Sequence, residues 1–301
     1  MRPLDSFGQR LLPGLRQALK EQPGALVLCD SFEGPSAHGA FVAQVARQQG
    51  FKGQLVALPF EDPDDSGQAE IGRLVQAWGE AQEPEAIRNH LSESMVLTRL
   101  SAVHSATQRL LAVTEAGARN VALNFSLGST PALCVAAVLA MTQDPASSQQ
   151  AVGQLRKALG SDFRAGLVEL ASQTSRDPRL LEARRQFAEA VRTFEAGQNS
   201  VVVAAGNDGV MKDWAAGFAL SDLVTPETTV VGALEGGRPA AYNGDAATVL
   251  APGGFLVAGQ EVHGTSFAAP VVAAAMASAH GRDSRATSDE VEAGLDFPRP
   301  L

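Results

Sequence analysis

The stretch His263-Gly264-Thr265-Ser266-Phe267-Ala268-Ala269-Pro270 runs into the small apolar residues Val271 to Ala279. That pattern reads as a tight loop handing a serine to the first turn of a buried helix. Gly264 permits a sharp entry, Thr265 or Ser266 can cap free N–H groups, and Pro270 is tolerated in an opening turn, where its missing donor is not needed. A serine placed there faces the positive end of the helix dipole and unpaired backbone N–H groups, so an oxyanion forming beside it is stabilised. The same signals describe any capped helix, and the partners such a serine needs must be sought elsewhere in the chain.

Three stretches offer them. Asp30 ends the short apolar run Ala25-Leu26-Val27-Leu28-Cys29, of buried parallel-strand type, and His38-Gly39 opens a helical pattern from Ala40 to Gln48 whose apolar face is Phe41, Val42, Val45 and Ala46. A strand's carboxyl end and the start of the next helix both face the crevice where open α/β sheets hold their sites. Taken singly, Asp30 is a turn cap and His38 a helix cap. Ser200 to Gly209 is a second buried strand that runs into Gly206-Asn207-Asp208-Gly209, ordinary turn chemistry in isolation.

Together these segments resemble one family. Gly264-Thr265-Ser266-x-Ala268-x-Pro270 is similar to the nucleophile motif of the subtilisin-like serine proteases (subtilases), Leu26–Ser31 and His38–Ala43 to their aspartate and histidine motifs, and Ser200–Gly209 to their oxyanion segment. The resemblance spans about residues 25–295. It implies a three-layer α/β/α fold with a mostly parallel central sheet, and serine endopeptidase activity. Asp30, His38 and Ser266 follow the family's chain order. His38 would take the Ser266 proton, Asp30 would hold the imidazole tautomer, and Asn207 would donate to the tetrahedral intermediate. Polypeptide is then the substrate, added as an extended strand beside Ser126-Leu127-Gly128, which follow the buried strand Val121–Phe125. Ala204-Ala205-Gly206 would form the opposite wall of a specificity pocket whose floor falls within Val210 to Leu223. Related Ser-Glu-Asp proteases share Gly-Thr-Ser but carry an aspartate at the oxyanion position, so Asn207 and His38-Gly39 favour the Ser-His-Asp type. The alternative is a catalytically inactive subtilase fold used for binding or as a scaffold.

The chain departs from the family pattern at Phe32, where a glycine is usual, at Ala40, where a hydroxylated residue is usual, and in the short separation of Asp30 from His38. Eight extended residues reach about 20 Å or more, enough to close the distance from a strand end to the neighbouring helix.

The elements that must position these groups can be read around them. A first helix, Leu11 to Glu21, is closed by Pro23-Gly24 and forms an N-terminal extension, residues 1–24, to a peptidase domain over 25–301. Leu55-Val-Ala-Leu is a strand; two helices follow, roughly Gly67–Ala81 and Pro84–Ala116, then an apolar helix from Pro131 to Met141. Residues 143–198 look like a helical insertion, with Leu155, Leu159, Phe163, Leu167 and Leu170 at helical spacing, and Arg184, Arg185 and Arg192 reading as a solvated face. That insertion is the expected docking place of a protein partner. Thr228–Ala233 is a strand, Gly254–Val262 a hairpin, and Thr287-Ser288-Asp289-Glu290 a capping box for a last helix.

Composition sets limits on function. With 301 residues, 45% hydrophobic and 19% charged, the chain buries a full core, and its formal net charge of −9 argues against a nucleic-acid or membrane surface. Cys29 and Cys134, the only two cysteines, read as buried reduced thiols. No signal peptide is visible, which gives a cytoplasmic expectation. No cofactor is expected; calcium is common in the family, but no loop here is recognisable as its site.

Overall fold

The computed structural model describes residues 4–20, 23–32, 37–60, 83–143 and 148–300. The expected helix over Gly67–Ala81 lies outside them, as do residues 33–36 of the loop between Asp30 and His38. Nine helices and nine strands are described: α1 (Ser6–Leu19), β1 (Leu26–Asp30), α2 (His38–Gln48), β2 (Leu55–Pro59), α3 (Pro84–Glu115), β3 (Ala122–Phe125), α4 (Pro131–Met141), α5 (Ser148–Leu159), α6 (Phe163–Thr174), α7 (Pro178–Glu195), β4 (Ser200–Ala204), β5 (Thr229–Glu235), β6 (Arg238–Pro239), β7 (Val249–Pro252), β8 (Gly254–Val257), β9 (Gln260–His263), α8 (Thr265–Arg282) and α9 (Ser288–Ala293). A 3₁₀ turn spans Gly209–Trp214.

Strands β2-β1-β3-β4-β5 lie side by side and all parallel, with β7 parallel beyond β5 and the two-residue β6 antiparallel on it. Because side chains alternate along a strand, one apolar run feeds two layers. Val27, Cys29, Leu123, Phe125, Val201 and Val203 face the layer of α1, α3 and α7. Leu26, Leu28, Ala122, Val202, Ala204, Val231 and Ala233 face α2 and α8. The architecture is therefore the three-layer α/β/α fold expected. The polypeptide leaves β1 toward β2 on one side and returns to β3 on the other, so the carboxyl ends of β1 and β3 flank the point where the strand order reverses.

Three expectations need correction. α1 begins at Ser6 rather than Leu11, because the Asp5 carboxylate caps it by accepting from the Gly8 N–H at 2.6 Å, and it runs on through Pro13 to Leu19. Its Leu15 and Leu19 are buried against the sheet layer, so the first helix is part of the core. Of the stretch read as an insertion, α7 is a layer of the fold: Leu180, Phe187, Val191 and Phe194 are fully buried among β-strand residues. Only α5 and α6 sit apart from the sheet, packing Leu155, Leu167 and Leu170 against α4 and the first half of α3. Finally, Arg184 does not belong to a solvated face; it pairs with the buried Asp222. Both cysteines are free and buried, and burial pushes their thiols up, Cys134 to about 12. Among the described residues no helix is long and apolar enough to cross a membrane.

Candidate active site

Asp30 ends β1 with its carboxylate fully buried. Its Oδ1 accepts from the Ser31 N–H at 2.7 Å, and the Nδ1 of His38 lies 2.8 Å from Oδ1 and 3.0 Å from Oδ2. His38 is the first residue of α2, and the other side of its ring places Nε2 3.1 Å from the Oγ of Ser266, the second residue of α8. Sequence reasoning brought these three residues together by resemblance alone. The fold places them in one hydrogen-bonded line that runs from a buried carboxylate to the edge of solvent, since the His38 side chain is 26% exposed.

The departures from the family motif have physical counterparts here. A side chain on Gly39 would put its Cβ 2.7 Å from the Phe32 ring, so Phe32 fills the space that Gly39 leaves and packs with the α2/α8 core. The short connection closes because the Gly39 N–H donates to Ser31 O at 2.8 Å and Ala37 takes a left-handed conformation, φ 33°, just before the helix. The His38 ring is also held from the far side by Phe267, with ring centroids 5.1 Å apart.

Asn207 lies just past the carboxyl end of β4. Its Oδ1 accepts from the Thr265 N–H at 2.9 Å and from Thr265 Oγ1 at 3.1 Å, while the same hydroxyl accepts from the Gly206 N–H at 3.1 Å. The helix cap thus comes from Asn207 across the site, and not from Thr265 or Ser266 within the helix. With its oxygen committed, the amide must turn Nδ2 the other way, and Nδ2 carries only donors. Gly264, at φ 143°, is where a side chain would intrude: a Cβ there would sit 3.0 Å from Asn207 Nδ2 and 3.4 Å from Ser266 Oγ. The glycine keeps that space open.

Pro270 is placed differently from the expectation. It is the sixth residue of α8, in the second turn, where its missing N–H frees the carbonyl of Ser266. That carbonyl accepts instead from Ser126 Oγ at 3.0 Å, and Ser126 Oγ accepts from Asn124 Nδ2 at 2.7 Å. The proline and the Asn124–Ser126 pair together pin the turn that carries Ser266. Nothing in the local pattern around Asn124 signals this.

Ser126-Leu127-Gly128 leave β3 and Ala204-Ala205-Gly206 lie at the end of β4, neighbours in the sheet through Phe125 and Val203. Among the described residues the backbone groups of Leu127 and Gly128 have no hydrogen-bond partner, so they form an exposed strand edge. Thr130 Oγ1 donates to Asp208 Oδ2 at 2.7 Å and ties the two walls together behind the gap. Among the described residues no three His, Cys, Asp or Glu side chains are grouped to hold a metal ion.

No family model matches the sequence, and no curated protein matches it significantly. Among solved structures 15 chains match. A lanthipeptide protease is 14% identical, covering 95% of this chain and 85% of that one with a TM-score of 0.41. A cold adapted subtilisin-like serine proteinase is 12% identical, with 92% and 83% covered and a TM-score of 0.43. A psychrophilic protease is 14% identical, with 94% and 87% covered and a TM-score of 0.41. The chemistry of the site rests on its own geometry.

Proposed function

We propose that the chain is a serine endopeptidase of subtilisin-like type. What carries the reading is the continuous line Asp30–His38–Ser266, with spacings of 2.8 and 3.1 Å, opening beside Asn207. As Ser266 Oγ bonds to the peptide carbonyl carbon, its proton passes to His38 Nε2, and the Nδ1–H stays bonded to Asp30, which stabilises the imidazolium. The carbonyl oxygen becomes an oxyanion that accepts from Asn207 Nδ2 and from the N–H of Ser266 at the start of α8. When the C–N bond breaks, Nε2 returns the proton to the leaving amine; water then repeats the sequence on the acyl-enzyme. The substrate backbone pairs with the free edge at Leu127 and Gly128.

The test is covalent labelling. A fluorophosphonate places its oxygen where the oxyanion forms, so it reacts with an activated serine and not with a surface hydroxyl. Stoichiometric adduct at Ser266, absent in Ser266→Ala and His38→Ala, supports the peptidase. A folded wild type that no such probe labels sinks it and leaves an inactive binding fold.

A further inference from the structure

Asp30 is carried by a strand end that is itself tied down from the far side of the sheet. Among the described residues β2 pairs with β1 alone; the register sets Pro59 opposite Asp30, and the Phe60 N–H donates to Asp30 O at 2.9 Å. The two carbonyls at that end of β2 accept from one side chain of α3. Arg109, 1% exposed, donates from Nε to Pro59 O and from Nη2 to Phe60 O, each at 2.8 Å. Arg109 is in turn set by α1: its guanidinium carbon lies 4.1 Å from the centroid of the Phe7 ring, and the Asp5 N–H donates to Oε1 of the adjacent Gln108 at 2.9 Å. Side chains alternate along β1, with Cys29 in the layer of α1, α3 and α7 and Leu28 in that of α2 and α8. Arg109 therefore approaches from the face opposite to the Asp30 carboxylate and acts on it through the strand.

Any donor would satisfy one buried carbonyl, but a planar guanidinium that holds two successive carbonyls fixes their relative direction, and an aromatic face beneath the cation fixes its plane. The Phe60 N–H passes that constraint across the ladder to the residue whose carboxylate lies 2.8 Å from His38 Nδ1. We propose that Arg109 is a positioning residue for the Asp30–His38–Ser266 line, and that α1 sets Arg109 through Phe7. The proposal rests on the peptidase reading. The Asp30 carboxylate is worth most once His38 carries the Ser266 proton, when it faces a full positive charge. A displaced Asp30 therefore slows the chemical step and leaves peptide binding along Leu127 and Gly128 as it was. On this account the first helix belongs to the machinery of the site as well as to the core.

Arg109→Lys keeps the charge and a donor but loses the fork, and Arg109→Met removes both. The expected result is a fall in kcat of about tenfold in Arg109→Met and a smaller one in Arg109→Lys, counted per fluorophosphonate-titrated site, with KM within about twofold of wild type in each. The NMR shifts of the His38 ring nitrogens, assigned by their loss in His38→Ala, report where the imidazole proton sits and need no turnover. Read well below the melting temperature of each variant, they should move away from the Nδ1-protonated form in the same order as the losses in kcat. Phe7→Leu keeps apolar bulk and takes away the ring face, and should move both readouts the same way by a smaller amount. A merely structural Arg109 lowers the melting temperature and leaves kcat per site and the ring shifts at their wild-type values, and that outcome overturns the proposal. If Arg109→Met does not fold, Arg109→Lys decides alone: wild-type kcat and wild-type shifts there overturn it. A wild type that resists labelling overturns the peptidase reading instead, and the ring shifts then still decide whether Arg109 holds the Asp30–His38 bond.

Discussion

Replacing Asp30 by asparagine changes one atom of a buried side chain and should abolish most of the activity. The Ser31 N–H, 2.7 Å from Oδ1, requires an acceptor at that position, so the amide oxygen takes it and the NH₂ takes the place of Oδ2, 3.0 Å from His38 Nδ1. The amide oxygen stays 2.8 Å from Nδ1 but no longer carries a negative charge, and the NH₂ at 3.0 Å opposes a proton there, so the imidazole shifts toward carrying its proton on Nε2 and the imidazolium loses its counter-charge. That tautomer cannot accept the proton of Ser266, 3.1 Å away. A wrong tautomer costs about 10⁴ in kcat, which corresponds to about 5 kcal/mol of transition-state stabilisation. The assay is kcat on a fluorogenic peptide, with the melting curve as control, because asparagine keeps the volume and the Ser31 bond. A folded Asn variant within about tenfold of wild type would show that Asp30 does not set the tautomer, and the reading of the line as a catalytic relay would fall with it.

Asn207→Ala should lower kcat by about 10²–10³ with KM nearly unmoved, since the donor acts on charge present only in the transition state; an unchanged kcat reduces Asn207 to a cap for α8. Phe187→Ala should cost about 3–5 kcal/mol in urea unfolding, as a fully buried ring under the sheet; a loss below about 1 kcal/mol would return α7 to the status of an insertion. Stability against pH should show two opposed contributions. Burial lowers His280 to about 4, so its share of stability is lost as pH falls from about 6.5 toward 4; burial raises Glu195 to about 7, so its share is lost as pH rises from about 4.5 toward 7. Urea midpoints between pH 4.5 and 6.5 should therefore rise on acidification in His280→Gln and fall in Glu195→Gln; identical slopes in the two variants would refute both assignments.

The site was legible where chemistry and local structure share the same few residues. A buried parallel strand is a near-continuous apolar run whose end is marked by the first polar residues, so the carboxyl ends of β1 and β4 could be read by pattern, while the roles expected of Asp30 and Asn207 came from the resemblance. The helix starts at His38 and Pro131 and the capping box at Thr287 were equally local, and the structure reproduces the box with Thr287 and Glu290 bonding reciprocally. The start of the first helix was misread because its opening turn, Ser6 to Arg10, carries few apolar residues, so the Asp5 cap went unread; Phe7, Leu15 and Leu19 are nevertheless buried in the structure.

Residues whose partners lie far along the chain could not be placed by such rules. Arg184 is 38 residues from Asp222 and Arg99 is 123, and a helix with arginines among glutamates looks solvated whether or not one of them reaches inward. Ser126 and Ser266, 140 residues apart, show the same limit at the centre of the site. Pro270 seemed to require an opening turn because its cost was counted within the helix alone. The fold meets that cost from outside, with a hydroxyl that β3 delivers to the orphaned carbonyl of Ser266. A proline that merely ended a turn would leave Ser126 free to vary. Here the two are one device, since removing the hydroxyl leaves a buried carbonyl without a donor beside the residue whose position matters most.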